Sequence, residues 1–187
     1  MLPVLNNKTS NVALLAVSLE DAARQCRLTT DDLTDENIKA SLTNAIYAAQ
    51  SYLENKYTVS FGENKFKAVY EIEDQTIKRL HFIISKLSKV DKITFDSVEI
   101  EKPYKLCTSN THSYIEYASS IPTQTTVEVS YTAGFKNPED VPYNIEQAIL
   151  MLTAHYFDIR NPESHNQINI SHYAVEALMR PYQKALI

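Results

Sequence analysis

The chain has 187 residues, 44% of them hydrophobic, and a formal charge of −5. It is long enough to bury a real core, and too acidic for a protein whose affinity comes from wrapping DNA phosphates. Gly62 and Gly134 are its only glycines, where an average usage of about 7% would give a dozen or so, so glycine-rich phosphate cradles and the nucleotide enzymes built on them are excluded.

In chain order, residues 1–16 read as an irregular N-terminal arm with a polar patch from Asn6 to Asn11. They lack the charged and apolar regions of a signal peptide, and no run of eighteen apolar residues follows anywhere, so no membrane partner is expected. Ser18 suits an N-cap with Asp21 three residues on, and Leu19, Ala22, Ala23 and Cys26 give a short amphipathic helix. Thr29 to Asp35 is an acidic turn. Thr34 or Asp35 can cap the next helix, whose first turn holds Glu36 where the helix dipole favours negative charge. From Ile38 the apolar series Leu42, Ala45, Ile46, Ala49 and Leu53 runs on to about Tyr57.

Residues 59–135 have a different texture. Phe66–Glu71, Ile77–Ser85, Lys92–Asp96, Val98–Glu101, Tyr104–Cys107, Tyr114–Tyr117 and Thr125–Tyr131 are short, rich in β-branched and aromatic residues, and divided by polar turns. Leu80–Leu87 is equally compatible with a helix, because a short apolar run does not settle the type. Ala133-Gly134-Phe135 turns the chain, and Gly134 is expected at positive φ.

Val141 to Arg160 carries the cleanest helical period, through Ile145, Ala148, Ile149, Leu152, Tyr156 and Ile159. Pro142 marks its start and Asn161-Pro162 its stop. It is expected to pair with the helix from Ile38, with Leu42 and Leu152 in one core layer. After a polar loop to Ile170, a last helix turns Ala174, Leu178 and Tyr182 inward, with Ala177 at their margin, and Pro181 kinks or ends it. The expected fold is α+β: a bundle of about four helices from residues 17–58 and 136–187, with an antiparallel β region inserted between the second and third, all in one domain.

Catalytic, cofactor and metal motifs are absent. The five histidines (His81, His112, His155, His165, His172) make no HExxH, and His155 reads as a buried or interface side chain. Asp31, Asp32, Asp35 and Glu36 lack the glycine and twelfth-position glutamate of a calcium loop and read as a solvated helix start. Cys26 and Cys107, far apart and without CxxC spacing, are expected to be free thiols of a reducing compartment. Of the twelve tyrosines, Tyr143, Tyr156, Tyr173 and Tyr182 stand equally as interface or core-rim residues.

The order of these parts resembles a family. Val17-Ser18-Leu19-Glu20-Asp21-Ala22, the acidic turn, a helix ending Tyr52-Leu53-Glu54, Tyr131-Thr132-Ala133-Gly134-Phe135, Val141-Pro142 before Gln147-Ala148-Ile149, His155-Tyr156-Phe157 with Arg160, and Val175-Glu176-Ala177-Leu178 with Pro181-Tyr182 together resemble the head-tail connector, or adaptor, proteins of long-tailed bacteriophages and prophages. Ser171-His172-Tyr173 replaces the Pro and Gly expected before the last helix, and Gln183 stands where an arginine is usual. The resemblance implies a non-enzymatic virion protein, assembled in the host cytoplasm, that forms a homo-oligomeric ring of about twelve copies in the neck. That ring would contact the portal protein above and a neck, stopper or tail protein below, and DNA would cross it without specific binding. The end of the chain would then supply the docking surface, through Tyr173, Leu178, Arg180, Tyr182 and Lys184. A chain stopped at about Ile170 would stay soluble and fail to join portal-containing particles. Two alternatives stand beside this reading: another tail-completion or stopper component, which would be mainly β barrel, and a small hydrolase without a recognisable motif.

Overall fold

The computed structural model describes residues 1–73, 76–99, 103–158 and 168–183. Among them are four α-helices and eight strands, seven of the strands lying between the second and third helices. The fold is α+β, as the texture of the sequence requires. Contacts divide the chain into two compact units: Met1–Ala13 with Thr58–Lys136, and Leu14–Tyr57 with the described part of Asn137–Ala185.

The first unit is all β. Strands β1 (Leu5–Lys8), β2 (Asn64–Ile72), β4 (Leu87–Phe95), β5 (Val98–Glu99) and β8 (Thr125–Ala133) form one antiparallel sheet in the order β1-β2-β8-β4-β5; β3 (Ile77–Phe82), β6 (Tyr104–Thr108) and β7 (Ser113–Ile121) form a second, in the order β3-β7-β6. Strand β2 shows why: Phe66, Ala68, Tyr70 and Ile72 alternate with Lys65, Lys67 and Glu71, so one face is buried and the other wet. The inward faces of both sheets share one core, in which Tyr131 lies against Phe66 and Phe82 with ring centroids 5.4 and 4.5 Å away. Its hydroxyl donates to Asn6 Oδ1 at 2.8 Å, and that of Tyr70 to the His81 carbonyl at 3.0 Å. Those bonds let two phenols sit in an apolar core.

Three expectations are corrected here. The arm is not irregular: Leu5–Lys8 pairs with Val69 down to Phe66, because backbone groups at a sheet edge accept any extended segment whatever its polarity. Leu80–Leu87 is no helix; Leu80 and Phe82 point into the core from β3 and the chain then turns into β4. Strands β2, β4, β7 and β8 are also longer than expected, nine residues each, since their polar ends continue the ladder without adding to the apolar pattern. Of Val98–Glu101, only Val98 and Glu99 lie within the described residues.

Gly134 follows β8 directly at φ +117°, as expected, and Gly62 has φ +103°. A Cβ on Gly134 would run into the Gly62 and Ser60 carbonyls. This close approach lets Phe135 N–H donate to Ser60 O at 3.0 Å and Gly62 N–H to Phe135 O at 3.1 Å, and the Phe61 and Phe135 rings stack 6.2 Å apart.

The second unit is helical. Helix α1 (Leu19–Gln25) starts at Ser18, whose Oγ accepts from Asp21 N–H at 3.0 Å. Helix α2 (Glu36–Lys56) is capped by Asp35, not Thr34, through a 2.8 Å bond from Asn37 N–H. Helix α3 (Tyr143–Asp158) opens with the Pro142 carbonyl accepting from Ile145 and Glu146, and α4 (Ile168–Met179) runs into a 3-10 turn at Arg180–Tyr182. Leu42, Ile46, Ala49 and Leu53 of α2 and Ile145, Ala148, Ile149 and Leu152 of α3 are fully buried, and α3 packs on α1, α2 and α4. The period read from sequence thus places the core, with Ile159 and Arg160 outside the described residues. Between cap and helix, Gln50 is buried on α2; its Nε2 donates to Leu14 O at 2.7 Å and its Oε1 accepts from Ala16 N–H at 3.0 Å.

Candidate docking surface on the last helix

An amphipathic helix at the edge of a bundle can spend its apolar stripe inward or offer it to a partner, and the burial of each side chain decides which. In α4 and the 3-10 turn that continues it, the inward stripe is Val175, Met179 and Tyr182, at 1%, 0% and 4% exposure. Tyr182 is inward as expected, but the rest of the stripe is corrected: Ala174 and Leu178 are half-buried and Ala177 is exposed, a rotation by one position that the period alone does not fix. Tyr182 is therefore a core residue, not part of a free surface. Its hydroxyl donates to Asn144 Oδ1 at 3.3 Å, and Asn144 Nδ2 donates to the Leu178 carbonyl at 3.0 Å, so one α3 side chain ties both ends of the last turn.

The outward face of α4 carries Tyr173, 78% exposed, with Glu176, Ala177 and Arg180. Lys184 lies outside the described residues. Glu176 accepts from Lys56 Nζ at 2.5 Å, which joins α4 to the end of α2, and it holds the Lys56 ammonium charged to higher pH than usual. The same ammonium lies 5.7 Å from the Tyr52 ring centroid and 5.9 Å from that of Tyr57. Of the five expected docking residues, the structure leaves Tyr173 and Arg180 open to a partner. It adds two aromatics in the same unit: Tyr143 at the start of α3, 73% exposed, and Tyr47 on α2, 43% exposed. Tyr47 interrupts an alanine-rich stretch at a position off the apolar stripe, which is the signal that singles it out.

A shallow depression of about 340 Å³ on the outer face of the five-stranded sheet is lined by Lys67, Lys92, Thr94, Ser97, Glu128 and Ser130. Lys67 is paired with Glu128 at 2.9 Å and Lys92 with Glu99 at 2.9 Å, so its charges are spent on surface ion pairs. Among the described residues no group of three His, Cys, Asp or Glu is placed to hold a metal, and no helix is long and apolar enough to cross a membrane. The acidic stretch behaves as a helix start: Asp32 accepts from the Thr29 backbone at 2.7 Å and Glu36 pairs with Lys39 at 3.4 Å. Both cysteines are free thiols, and burial pushes that of Cys26 up to about 11. His155 is half-buried with its ring 5.6 Å from that of Tyr156, itself half-buried.

No curated protein sequence matches the chain. Among solved structures, it resembles a chain of the virion of a native gene transfer agent (GTA) particle, with a TM-score of 0.74 at 19% identity over 98% of this chain and 97% of that one. It resembles equally a chain from the neck of an empty GTA particle computed with C6 symmetry, with a TM-score of 0.72 at 20% identity over 98% of each chain. A chain from the neck of the native particle, computed with C12 symmetry, gives 0.67 at 18% identity over 98% of each. These are likenesses of fold. The model of the head completion protein family matches residues 17–169, from the cap of α1 to the start of α4, and the chain belongs to that family.

Proposed function

We propose that the chain is the connector that completes a phage-like head: a ring-forming, non-enzymatic subunit of the neck, assembled in the host cytoplasm and seated between the portal and the next neck or tail component. The observation that carries this reading is the family match, which spans most of both units. The neck particles that hold its fold neighbours were computed with six- and twelve-fold symmetry, which supports a ring of about twelve copies. A ring closes through two different, complementary faces of one subunit, and two compact units with separate cores offer such faces.

The outer face of α4 and its following turn, with Tyr173 and Arg180, is the surface we assign to portal docking, and we assign Lys184, which follows in the sequence, to the same role; Leu178 and Tyr182 hold that face in place through Asn144. Tyrosine and arginine, both exposed here, are among the residue types enriched where interfaces concentrate binding energy. The net charge of −5 disfavours adhesion of DNA in transit.

Complementation tests this. Heads made without the protein should stay tailless and regain tails when the purified chain is added. Tyr173→Ala combined with Arg180→Glu should fold normally and restore tails at least ten-fold less well. Full restoration by that variant would remove α4 as the docking element, and tailed particles formed without the protein would remove the connector role itself.

A further inference from the structure

Both outer faces of the β unit carry ion pairs: Lys67–Glu128, Lys92–Glu99 and Lys89–Asp91 on the five-stranded sheet and Arg79–Glu116 on the three-stranded one, at 2.7–2.9 Å. Strand β4, which β5 covers only at Thr94 and Phe95, is irregular in register at two places and bears Lys89, Asp91 and Lys92. Bulges and charges of this kind deter a sheet edge from further pairing. The exposed apolar side chains stand elsewhere. Among the described residues of the unit the large ones are Leu2, Val4, Leu5 and Val12, on β1 and its flanks, and Val98 and Tyr104, on β5 and β6. Val4 and Val98 are each 64% exposed and Leu5 50%. Strands β1 and β5 are the two ends of the five-stranded sheet; β6 ends the other sheet opposite β3, whose His81 N–H donates to the Met1 carbonyl at 2.9 Å and which therefore lies on the β1 side. The two apolar edges thus lie on opposite sides of one sandwich.

The β1 edge is a built surface, fixed to its own sandwich. Besides the ladder to β2, Asn6 Oδ1 accepts from the Tyr131 hydroxyl at 2.8 Å, Ser10 Oγ accepts from Lys65 N–H at 2.7 Å, and the fully buried Asn64 accepts from Val12 N–H at 2.6 Å and donates to Val12 O at 3.2 Å. Met1–Ala13 holds a single charged side chain, Lys8, in a chain that is 22% charged, so this edge lacks the guard that β4 has. We propose that in the ring the β1 edge of each copy is covered by the β5–β6 edge of the next, with Val4 and Leu5 packed against Val98 and Tyr104. This rests on the ring reading above. Two unlike edges on opposite sides of one subunit make a heterologous contact, which passes from copy to copy until the ring closes.

Four strand spacings, about 19 Å, separate β1 from β5 within one chain. A short bismaleimide does not span them, so a link between the two edges can only join two copies. A chain carrying Leu5→Cys and Val98→Cys, with Cys26→Ser and Cys107→Ser, is assembled and treated with that reagent. Denaturing gels should show a ladder of covalent multimers rising towards the full ring, while chains carrying only one of the two new cysteines should stay monomeric. Rings that give no ladder would overturn the contact and leave the ring standing. Linking of a single-cysteine chain to itself would show like edges meeting, and would overturn it too. Failure to form an oligomer, alone or on portal-bearing heads, would overturn both the contact and the ring. A second chain, with Val4→Asp and Leu5→Asp, alters only exposed side chains. It should melt as the parent does and yield about ten-fold fewer rings, because a carboxylate buried in an apolar contact has no partner; rings at the parent's level would overturn the contact.

Discussion

At the scale of single residues, the conformations of Gly134 and Gly62 are required by their surroundings. With φ +117° and two carbonyls where a Cβ would stand, Gly134→Val combines about 1–3 kcal/mol of backbone strain with a clash that only a shift of the Ser60–Gly62 segment relieves. Chemical denaturation should show the midpoint falling sharply, and an unchanged midpoint would mean that this junction is not part of the cooperative core. Leu152, fully buried on α3, should cost about 2–5 kcal/mol when cut to alanine. Tyr117 behaves differently. Its ring is buried, its hydroxyl has no hydrogen-bond partner, and burial pushes its ionisation up to about 12. Because the folded-state pKa lies above the unfolded value of about 10, its contribution is complete below pH 10 and is lost as pH rises from 10 towards 12. Tyr70 and Tyr131, also raised by burial, act in the same direction. Tyr117→Phe should therefore be neutral or stabilising at pH 7, since no bond is lost, and should make the alkaline loss of stability shallower when melting is followed from pH 8 to 12. A destabilised variant at pH 7 would reveal a partner for that hydroxyl.

At the scale of elements, the sequence made the helices legible and the sheet edges illegible. Leu42, Ile46, Ile145 and Leu152 repeat at helical spacing over long stretches, and Ser18 and Asp35 announce their caps, so the bundle and its pairing of α2 with α3 could be read directly. Strand β1 has no such signal: Leu5-Asn6-Asn7-Lys8 pairs through its backbone, which the side chains do not encode. The docking side chains were only half legible, because a helix of twelve residues with apolar positions on most sides leaves its rotation to the partner it packs on. That rotation reverses one expectation. A chain stopped at Ile170 loses Val175, Met179 and Tyr182, whose burial is worth about 1.5–3 kcal/mol each. The truncated protein should melt well below the parent or aggregate; a soluble product with the parent's melting temperature would show that α4 is dispensable after all. The four helices also separate this fold from the mainly β architecture expected of a stopper.

At the scale of the whole molecule, charge is divided unevenly. Lys and Arg number 11 against 10 Asp and Glu in Met1–Ala13 and Thr58–Lys136, but 7 against 13 in Leu14–Tyr57 and Asn137–Ala185, so the helical unit carries the acidity. The purified protein should bind duplex DNA only weakly at 150 mM salt, as fluorescence anisotropy would show; tight, salt-dependent binding would contradict a surface over which DNA passes freely. The central claim is that copies of this chain form a closed ring in the neck, and imaging tests it most directly. Localised reconstruction at the portal vertex of particles carrying the chain should show a closed ring of its copies directly below the portal, with the α4 side of each subunit against it. Density for the chain elsewhere in the particle, or as isolated copies that close no ring, would contradict the account.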